Sequence, residues 1–497
     1  MEKSKSAFVV LFFLLQTAAV MAAEGPLTSG IQEYRAENYE EALVLLTAAR
    51  QHEPASSVAA FYLGLTHKQT GNFDQAAANY RDALTLTPPV NDAYAELIEM
   101  LFSLERLAEA REWITKAEKA EASPAQIAFL KGLVLAKTGD NSGAIESFEK
   151  AEKLDSTIAQ ACAFQIAMLQ AKEGRVLTAR KSLQAVINLD PNSEQAAFAR
   201  EYEDAIAKII EGYRTWRFTL GAALQYDDNV VSKPSTAITG LDITGENDYG
   251  LLTTFRTDYT PLLDRPWSLA AQFALLANTY EEVNTHNVIA PTLSLIPGYN
   301  FDEGAVTLPL SYSRIWLKQH KYMDISTVKP TLNLMFLPGH IGQLSPGYTK
   351  REMLQPALDS DEDRDGRIYS LAAGYIYPFA EGLGAFNLRY ERTKDNADGR
   401  NWDNTGDRFS AGLLLPLMDM VSLSVSGEIL EQDYKEIHTI FNVRRDDTIY
   451  SGTIGLSWEM SPSTLLIAQY ARTNAQSTIP EYDYTRNVYN LGMEYRF

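Results

Sequence analysis

The sequence predicts a multidomain α + β protein in which an N-terminal α-solenoid of helical repeats is followed by an antiparallel transmembrane β-barrel of about 14 strands. Three observations lead to this fold class. Apolar residues keep a helical spacing over residues 30–192, and the pattern recurs after about 34 residues. From Thr215 the apolar period changes to two, which is typical of strands. Segment 487–497 continues this period, with apolar residues on one face and polar residues on the other.

Composition and charge narrow the function classes. The 497 residues include 44 Lys plus Arg and 64 Asp plus Glu, a formal net charge of −20, so nucleic acid is not an expected partner. Cys162 is the single cysteine, which excludes both a disulfide framework within the chain and a cysteine-ligated metal cluster. We expect Cys162 to be a small buried helix residue. The 26 tyrosines outnumber the 20 phenylalanines, which suits an interface between membrane and water.

The first residues predict a secretory signal peptide over residues 1–23. Two early lysines precede the apolar run 7–15, and small residues follow up to the expected cleavage after Ala22 or Ala23. No other apolar run reaches the ~18 residues that a transmembrane helix needs. An exported chain of this kind is expected to be either soluble or a β-barrel.

The helical half divides into five units of about 34 residues and a final amphipathic helix at 193–213, which gives a predicted solenoid over residues 24–213. Glycine and alanine lie where the two helices of a unit cross, large apolar residues fill the gaps between units, and proline ends the second helix. The third unit is degenerate but in phase. The pattern resembles the tetratricopeptide repeat, and the second unit carries it most fully, with Leu63, Gly64, His67, Gly71, Phe73, Ala76, Tyr80, Ala83 and Pro88.

This resemblance implies that the concave face of the solenoid binds a peptide or a protein. On the pattern of such repeats, the client-binding face is expected to carry Phe61, Leu65, Lys68, Glu99, Phe102, Phe129 and Leu133. An array that only scaffolds or tethers is the alternative. His67 occupies a packing position of its unit, so a buried structural role is expected for it.

The strand half is predicted to form the barrel over residues 214–497. In segment 217–226 every second residue is apolar, while threonine, glycine, alanine and glutamine occupy the other face. A water-filled lumen suits such a second face better than the core of a soluble sandwich does. The connections alternate between long and short, as in bacterial outer-membrane barrels. The first connection, 230–246, is long, so the repeats and the C-terminus are both expected in the periplasm.

The C-terminal segment is similar to the closing strand of bacterial outer-membrane barrels, which typically ends in phenylalanine after alternating apolar residues. In those proteins the barrel-insertion machinery reads this end. The resemblance assigns barrel closure and the insertion signal to Arg217, Tyr495 and Phe497.

No catalytic or cofactor-binding constellation is recognised in the sequence. The six histidines form no helical His-Glu-x-x-His pair, and neither a Gly-x-Ser-x-Gly elbow nor a phosphate-binding glycine loop occurs, so no enzyme and no cofactor are predicted. Asp361, Asp363 and Asp365 begin like a calcium loop, but its twelfth position is Ala372 where glutamate is required. They are a weak calcium candidate, and a solvated acidic loop is the alternative. Segment 227–229 is interpreted as polar turn residues that end the first strand.

Together these features resemble the surface lipoprotein assembly modifiers, outer-membrane proteins with a periplasmic tetratricopeptide solenoid and a C-terminal barrel. Domain order, strand number and the segments 226–229 and 364–370 carry the resemblance. It implies a bacterial outer-membrane protein that delivers lipoproteins or other exported proteins to the cell surface. The client would pass through the polar lumen or through a lateral opening between the strands of Arg217 and Phe497. The implied partners are this client, the barrel-insertion machinery, periplasmic chaperones and outer-membrane lipid.

Two other functions stay open at this point. Outer-membrane exporters of exopolysaccharide also join periplasmic repeats to a C-terminal barrel, although they are associated with longer arrays and sixteen strands. Alternatively, the barrel anchors a periplasmic scaffold and transports nothing.

Overall fold

The computed structural model describes residues 25–236 and 247–497. The chain forms two compact units that divide between Ile209 and Ile210, a few residues before the predicted boundary at 213. The predicted signal peptide and much of the first long connection lie outside the described residues.

The N-terminal part of the described chain consists of eleven α-helices, and the predicted α-solenoid is confirmed. Ten of them form the five predicted pairs, and the eleventh follows as the final helix. The helices are α1 Pro26–Arg35, α2 Tyr39–His52, α3 Ser57–Gln69, α4 Phe73–Thr85, α5 Ala93–Ser103, α6 Leu107–Lys119, α7 Pro124–Lys137, α8 Asn141–Leu154, α9 Ala159–Lys172, α10 Val176–Leu189 and α11 Glu194–Gly212.

The helices of a pair approach closely because a glycine of the first helix faces a large side chain of the second. A Cβ added to Gly64 would lie 2.7 Å from the ring of Tyr80, so no larger residue fits there without a shift of that ring. The same relation holds for the pairs Gly30–Leu46 and Gly132–Phe148. In the third unit the corresponding positions hold Ile98 and Ile114, which are both buried in one core cluster. Two isoleucines therefore replace the glycine and its large partner, which is why the degenerate unit still folds in phase.

Two residues of the repeats were expected to have structural roles. Cys162 is buried in α9, which confirms the prediction, and its burial raises the pKa of the thiol to about 11. His67 is half-buried in α3, and burial lowers the pKa of its imidazole, so the ring stays neutral at pH 7. None of the helices in the described residues is long and apolar enough to span a bilayer.

The C-terminal part contains sixteen strand segments within the described residues. Their bounds are β1 Trp216–Asp227, β2 Asp248–Tyr259, β3 Trp267–Tyr280, β4 Val288–Phe301, β5 Gly304–Thr307, β6 Leu310–Leu317, β7 His320–Val328, β8 Thr331–Leu337, β9 His340–Met353, β10 Gly366–Phe379, β11 Gly384–Ala397, β12 Asn404–Met418, β13 Val421–Ile437, β14 Arg444–Ser461, β15 Thr464–Ser477 and β16 Tyr484–Arg496. Each strand pairs antiparallel with its neighbours, and β1 pairs with β16, so the sheet closes on itself.

The sixteen segments make up fourteen barrel strands. β5 and β6 both pair with β4 and are separated by only two residues, so they form one interrupted strand. β7 and β8 both pair with β9 and form a second one. The predicted antiparallel barrel of about 14 strands is therefore confirmed.

Long and short connections alternate as expected, with one exception. The connection from β6 to β7 is a two-residue turn, although it lies at the same end as the long connections. Its residues Lys318 and Gln319 both have positive φ, 48° and 65°, which matches the tight hairpin turn whose twist suits adjoining strands. Neither residue is the glycine or asparagine that normally marks this turn, so the sequence carries no signal for it.

Candidate functional site

The predicted client-binding face lies on α3, α5 and α7, the first helices of three successive pairs. Its apolar members are half-buried. Phe61, Leu65, Phe102 and Leu133 pack on one core cluster of the repeats, and Phe129 packs on the next. These side chains thus support the core and also present an apolar surface.

Ion pairs link α3 and α5 on this face. The ammonium of Lys68 donates hydrogen bonds to Glu96 at 2.8 Å and to Glu99 at 2.9 Å. Burial alone would lower the pKa of Lys68, but the hydrogen bonds to the two carboxylates raise it above its ordinary value. One lysine facing two glutamates leaves this part of the face with a net negative charge.

The predicted closure of the barrel occurs between β1 and β16, which we call the seam. Phe218 and Phe497 exchange two backbone hydrogen bonds of 3.1 and 3.0 Å, and their rings stack with centroids 5.5 Å apart. Tyr495 lies opposite Leu220. Arg217 lies one position before Phe218, and its partner across the sheet is Asp258 of β2. The residue that meets the C-terminal phenylalanine is therefore Phe218.

The long-connection end of the seam carries a buried polar network that sequence reasoning missed. Asp227 is fully buried and accepts hydrogen bonds from the guanidinium of Arg486, with Nε at 3.0 Å, and from the hydroxyl of Tyr280 at 2.8 Å. Gln225 donates to the same hydroxyl at 2.9 Å. Asp228 accepts from the side-chain amide of Asn487 at 2.6 Å. We call Asp227, Asp228, Arg486 and Asn487 the seam lock.

The residue after the seam lock extends this network into the connection. The side chain of Asn229 donates to the carbonyl of Thr485 at 2.9 Å and accepts from the backbone of Lys233 at 2.7 Å. Segment 227–229 does end the first strand, but its side chains also tie that strand to the last one. The only sequence signal was three consecutive Asp or Asn residues directly after an aromatic residue.

The inner wall of the barrel carries ion pairs that join different strands. Lys329 reaches Glu391 at 2.6 Å, passing over two intervening strands. Further pairs join Arg408 to Glu428 at 2.6 Å and Arg351 to Asp395 at 2.9 Å. Because these charges are satisfied along the wall, the lumen surface is polar, with both signs of charge interspersed.

Four connections at the same end pack into one loop cluster, which we define as Glu362, Asn401, Trp402, His438 and Tyr482. The carboxylate of Glu362 accepts hydrogen bonds from the amide of Asn401 at 2.7 Å and from the indole of Trp402 at 2.9 Å. Arg445 lies over the ring of Tyr482 at 3.4 Å from its centroid and pairs with the buried Asp447. The connections after β9, β11, β13 and β15 are therefore held together by buried polar and aromatic contacts.

His438 is the titratable centre of the loop cluster. It is 1 % exposed, its Nδ1 accepts from the backbone of Ile440 at 3.3 Å, and its Nε2 lies 3.7 Å from Glu362. Burial lowers the pKa of His438, opposed by the nearby Glu362 carboxylate. The imidazole is therefore neutral at pH 7.

The acidic loop places only two of its three predicted calcium ligands together. Carboxylates of Asp363 and Asp365 lie within 4.8 Å of each other and of Asp398, which comes from the next connection. Asp361 instead faces Arg400 at 3.4 Å. A cation in this loop would therefore use Asp398, a ligand from another connection that a linear loop pattern cannot reveal.

Comparison with family models supports the repeat assignment. Two tetratricopeptide-repeat models match residues 27–89 and 161–193, and a model described as the TT21 fifth ARM repeats domain matches residues 59–170. The N-terminal region thus contains tetratricopeptide repeats. No curated protein matches the chain.

Three of the solved structures similar to this chain each cover 34–38% of it. A thermophilic tetratricopeptide protein of Thermus thermophilus is 24% identical over 37% of this chain and 97% of that one, with a TM-score of 0.30. MamA of Desulfovibrio magneticus is 19% identical over 34% of this chain and 94% of that one, with a TM-score of 0.31. PilF of Pseudomonas aeruginosa is 20% identical over 38% of this chain and 91% of that one, with a TM-score of 0.30.

Proposed function

We propose that the chain is a bacterial outer-membrane protein that delivers an exported protein, such as a lipoprotein, to the cell surface. In this proposal the repeats bind the client in the periplasm and the barrel provides its passage. No catalytic step is assigned to the chain. The observation that carries the proposal is a closed barrel with an apolar outer wall and a polar inner wall, joined in one chain to a set of tetratricopeptide repeats.

The outer wall of the barrel supports insertion into a membrane. Its large apolar side chains are exposed, for example Leu224 at 70 % and Leu251 at 45 %. Aromatic residues gather at both ends of the wall. At the short-turn end they are Trp216, Phe218, Tyr259, Trp267, Tyr299 and Phe497, and at the long-connection end they are Tyr226, Tyr249, Tyr348, Tyr369, Tyr470 and Tyr489. Two aromatic girdles around an apolar band are the pattern of barrels that cross a bilayer.

The spacing of the girdles also suits a bilayer. Phe218 and Tyr226 lie on the same face of β1, eight residues apart. At about 3.3 Å per residue this is about 26 Å along a strand, and the usual tilt shortens it to about 20 Å along the membrane normal. An apolar band of this order matches the thin hydrocarbon layer of an outer membrane.

The client-binding face supports capture of an extended protein segment. It combines the half-buried Phe61, Leu65 and Phe129 with the carboxylates of Glu96 and Glu99. A segment with apolar side chains and a positive charge would complement this surface. We therefore expect the client to be bound while it is unfolded, since a folded domain exposes few such side chains.

For the passage, we propose that the barrel wall yields in the sector β4–β9 and not at the seam. The seam is continuous over nine residue pairs and is held at both ends, by Phe218 with Phe497 and by the seam lock. Opening it would expose the buried Asp227 and its partner Arg486 to hydrocarbon, which is strongly unfavourable.

The sector β4–β9 contains a row of prolines at one level of four adjacent strands. Pro297 belongs to β4, Pro309 separates β5 from β6, Pro330 separates β7 from β8, and Pro346 belongs to β9. The register places Thr307 opposite Thr331 and Leu310 opposite Val328, so the two interruptions face each other. We call these four residues the proline row. Because proline has no N–H, the row lacks four ladder donors where the wall is otherwise continuous.

Surface proteomics tests the proposed function directly. Intact cells of the parent strain and of a strain lacking the chain are treated with protease, and the released peptides are compared with whole-cell extracts. We expect one or a few lipoproteins to disappear from the surface while they stay abundant in the extract. Complementation with the full chain should restore them, and complementation with Lys68→Glu, Phe129→Asp should not.

The variant needs a control for the general effect of placing a negative charge on the repeats. Val44→Asp changes an exposed apolar residue on α2, outside the client-binding face, and should restore delivery like the parent chain. An unchanged surface protein set in the deletion strain would contradict the proposal. If extracellular polysaccharide falls instead, the exporter function replaces it.

A further inference from the structure

The outer wall carries a concentration of positive charge beside the girdle of the long-connection end. Its members are Lys350 on β9, Arg367 on β10, and Arg392 and Lys394 on β11, which we call the basic patch. They share the outward parity of the girdle tyrosines, and the register places Tyr369 opposite both Tyr348 and Lys394. Such a patch is unexpected in a chain of net charge −20.

The basic patch is only half neutralised by the carboxylates around it. Lys350 bonds to Glu352, and Arg392 bonds to Asp407 at 2.6 Å. Arg367 and Lys394 are exposed and make no ion pair within the described residues. Lys350 lies directly opposite Arg367 across the β9–β10 pair. Like charges in this position repel each other, so a bound anion would stabilise the arrangement.

An apolar groove of about 770 Å³ lies on the same wall, next to the basic patch. Two rows of outward side chains line it, and the register aligns Ala373, Tyr390, Phe409, Ile429 and Tyr450 in one row and Tyr375, Leu388, Ala411 and Gly427 in the other. Gly452 lies opposite Gly427 and continues the second row at the edge of the groove. Tyr390 is the connecting residue. Its hydroxyl donates to Asp407 at 2.6 Å, and Asp407 also binds Arg392 of the basic patch. The groove therefore continues into the charged region without a break.

The glycines at the floor of the groove face open space, and strand packing does not require them to be glycine. A Cβ added to Gly427 or to Gly452 would meet no atom closer than 3.9 Å. By contrast, a Cβ on Gly492 at the seam would lie 2.4 Å from the Cβ of Ala223. The two groove glycines are thus not needed for strand packing, and they leave a depression that another molecule can fill.

We propose that the groove and the basic patch together bind one anionic lipid of the surrounding leaflet. Its phosphate groups would lie on Arg367 and Lys394, and an acyl chain would lie over Gly427 and Gly452. The occupant is a phosphate-bearing lipid. Free phosphate would not fill the apolar groove, and an uncharged lipid would not pair with the basic patch. This inference rests on the membrane insertion proposed above.

Native mass spectrometry of the full-length protein in detergent tests this site. The probe is bis-phosphorylated lipid A, compared with dephosphorylated lipid A and with phosphatidylcholine. We expect retention of the bis-phosphorylated lipid only. Arg367→Gln, Lys394→Gln should weaken retention about twenty-five-fold, because each basic residue near an anionic surface contributes about fivefold. Gly427→Leu, Gly452→Leu should abolish it by filling the groove.

Two controls keep the outcome interpretable. Arg472→Gln removes an exposed cation from β15, far around the wall, and should leave retention unchanged. The shift in gel mobility between folded and heated barrel shows whether each variant is folded. Equal retention of phosphatidylcholine, or displacement by inorganic phosphate alone, would overturn the inference. Cell fractionation is the separate test of membrane insertion, so a barrel that is inserted but retains no phosphorylated lipid fails only this inference.

Discussion

The seam and the proline row are two discontinuities in the same barrel wall. Side-chain contacts reinforce the seam, whereas the proline row lacks backbone hydrogen bonds. At the seam the first and last strands have no covalent connection, yet nine residue pairs, a stacked aromatic pair and the buried lock of Asp227 and Arg486 hold them. At the proline row the strands follow one another along the chain, yet four donors are missing from the ladder.

The difference indicates that the seam is not the weakest part of the barrel wall. Side-chain contacts compensate for the missing connection at the seam, whereas proline chemistry weakens the wall inside consecutive hairpins. A wall that must widen without losing its closure would be built in this way. The predictions below test the comparison, from the largest expected effect to the smallest.

Breaking the seam lock should have the largest effect. Asp227→Ala leaves the guanidinium of Arg486 without its buried partner, and we expect the free energy of unfolding to fall by about 3 kcal/mol. Asp227→Asn keeps the size of the side chain and part of its hydrogen bonding, so it should cost less. Urea titration in detergent, followed by the gel mobility of folded and unfolded barrel, measures both. An unchanged free energy of unfolding in Asp227→Ala would show that the seam lock does not stabilise the barrel.

Hydrogen exchange compares the two regions without mutation. Amides that flank the proline row, such as those of Thr307 and Thr331, should exchange at least about tenfold faster than those of Leu220 and Leu224 at the seam. The reason is that each missing donor removes a ladder bond that would have to open. Mass spectrometry of peptides from both sectors provides the measurement, and the β2–β3 pair, which has no proline and no register shift, serves as an uninterrupted reference. Slower exchange at the row than at the seam would reverse the comparison.

Acidification should affect the loop cluster and leave the seam unchanged. The pKa of His438 is lowered in the folded chain, so the unfolded chain binds more protons below about pH 6.5. The stability contributed by neutral His438 is therefore present above pH 6.5 and is lost as the pH falls towards its folded pKa. We expect a loss of about 1 kcal/mol, seen as increased protease cleavage at 438–443.

The matched variant for the pH experiment is His438→Gln, which cannot titrate. Its cleavage should be nearly independent of pH between about 7.5 and 5.5. The charged groups around His438 are Glu362, Arg445 and Glu481. A pH response that survives the substitution would assign the effect to another group.

Replacing Arg217 should have the smallest effect. Its predicted role in closure depends on a register that is one residue away from the observed one. Because Phe218 makes the contact with Phe497, Arg217→Gln should change the free energy of unfolding by less than about 0.5 kcal/mol. Phe218→Ala is the positive control in the same urea titration and should cost more. A larger loss of unfolding free energy in Arg217→Gln would show that Arg217 does contribute to closing the barrel.

The fold was largely predictable, because it rests on local periods. The 34-residue repeat placed Gly64 at a helix crossing, and the period of two placed a strand on segment 217–226, which lies within the observed β1. Register was not predictable to one residue, so Arg217 was chosen in place of Phe218. The turn at Lys318 was missed because its positive φ is adopted by residues that carry no turn signal.

The candidate sites were less predictable, because they depend on contacts between distant segments. Asp227 and Arg486 are 259 residues apart, and only barrel closure brings them together. Asp398 joins Asp363 through packing of two connections. The alignment of the four prolines likewise depends on strand register, although each proline is visible in the sequence. Patterns within one segment predict elements, whereas sites formed between segments require the topology.

A pair of reversible cross-links tests the proposed passage most directly. All variants carry Cys162→Ser. One cysteine pair, at Leu310 and Val328, cross-links the strands at the proline row. A second pair, at Gln225 and Asn490, cross-links the seam, and a third, at Val425 and Ile454, is the control in β13–β14. Surface appearance of the client is then followed before and after oxidation. We predict that oxidation stops delivery only when the proline row is closed, and that a reductant restores it. Undiminished delivery through a barrel whose proline row is closed would contradict the account.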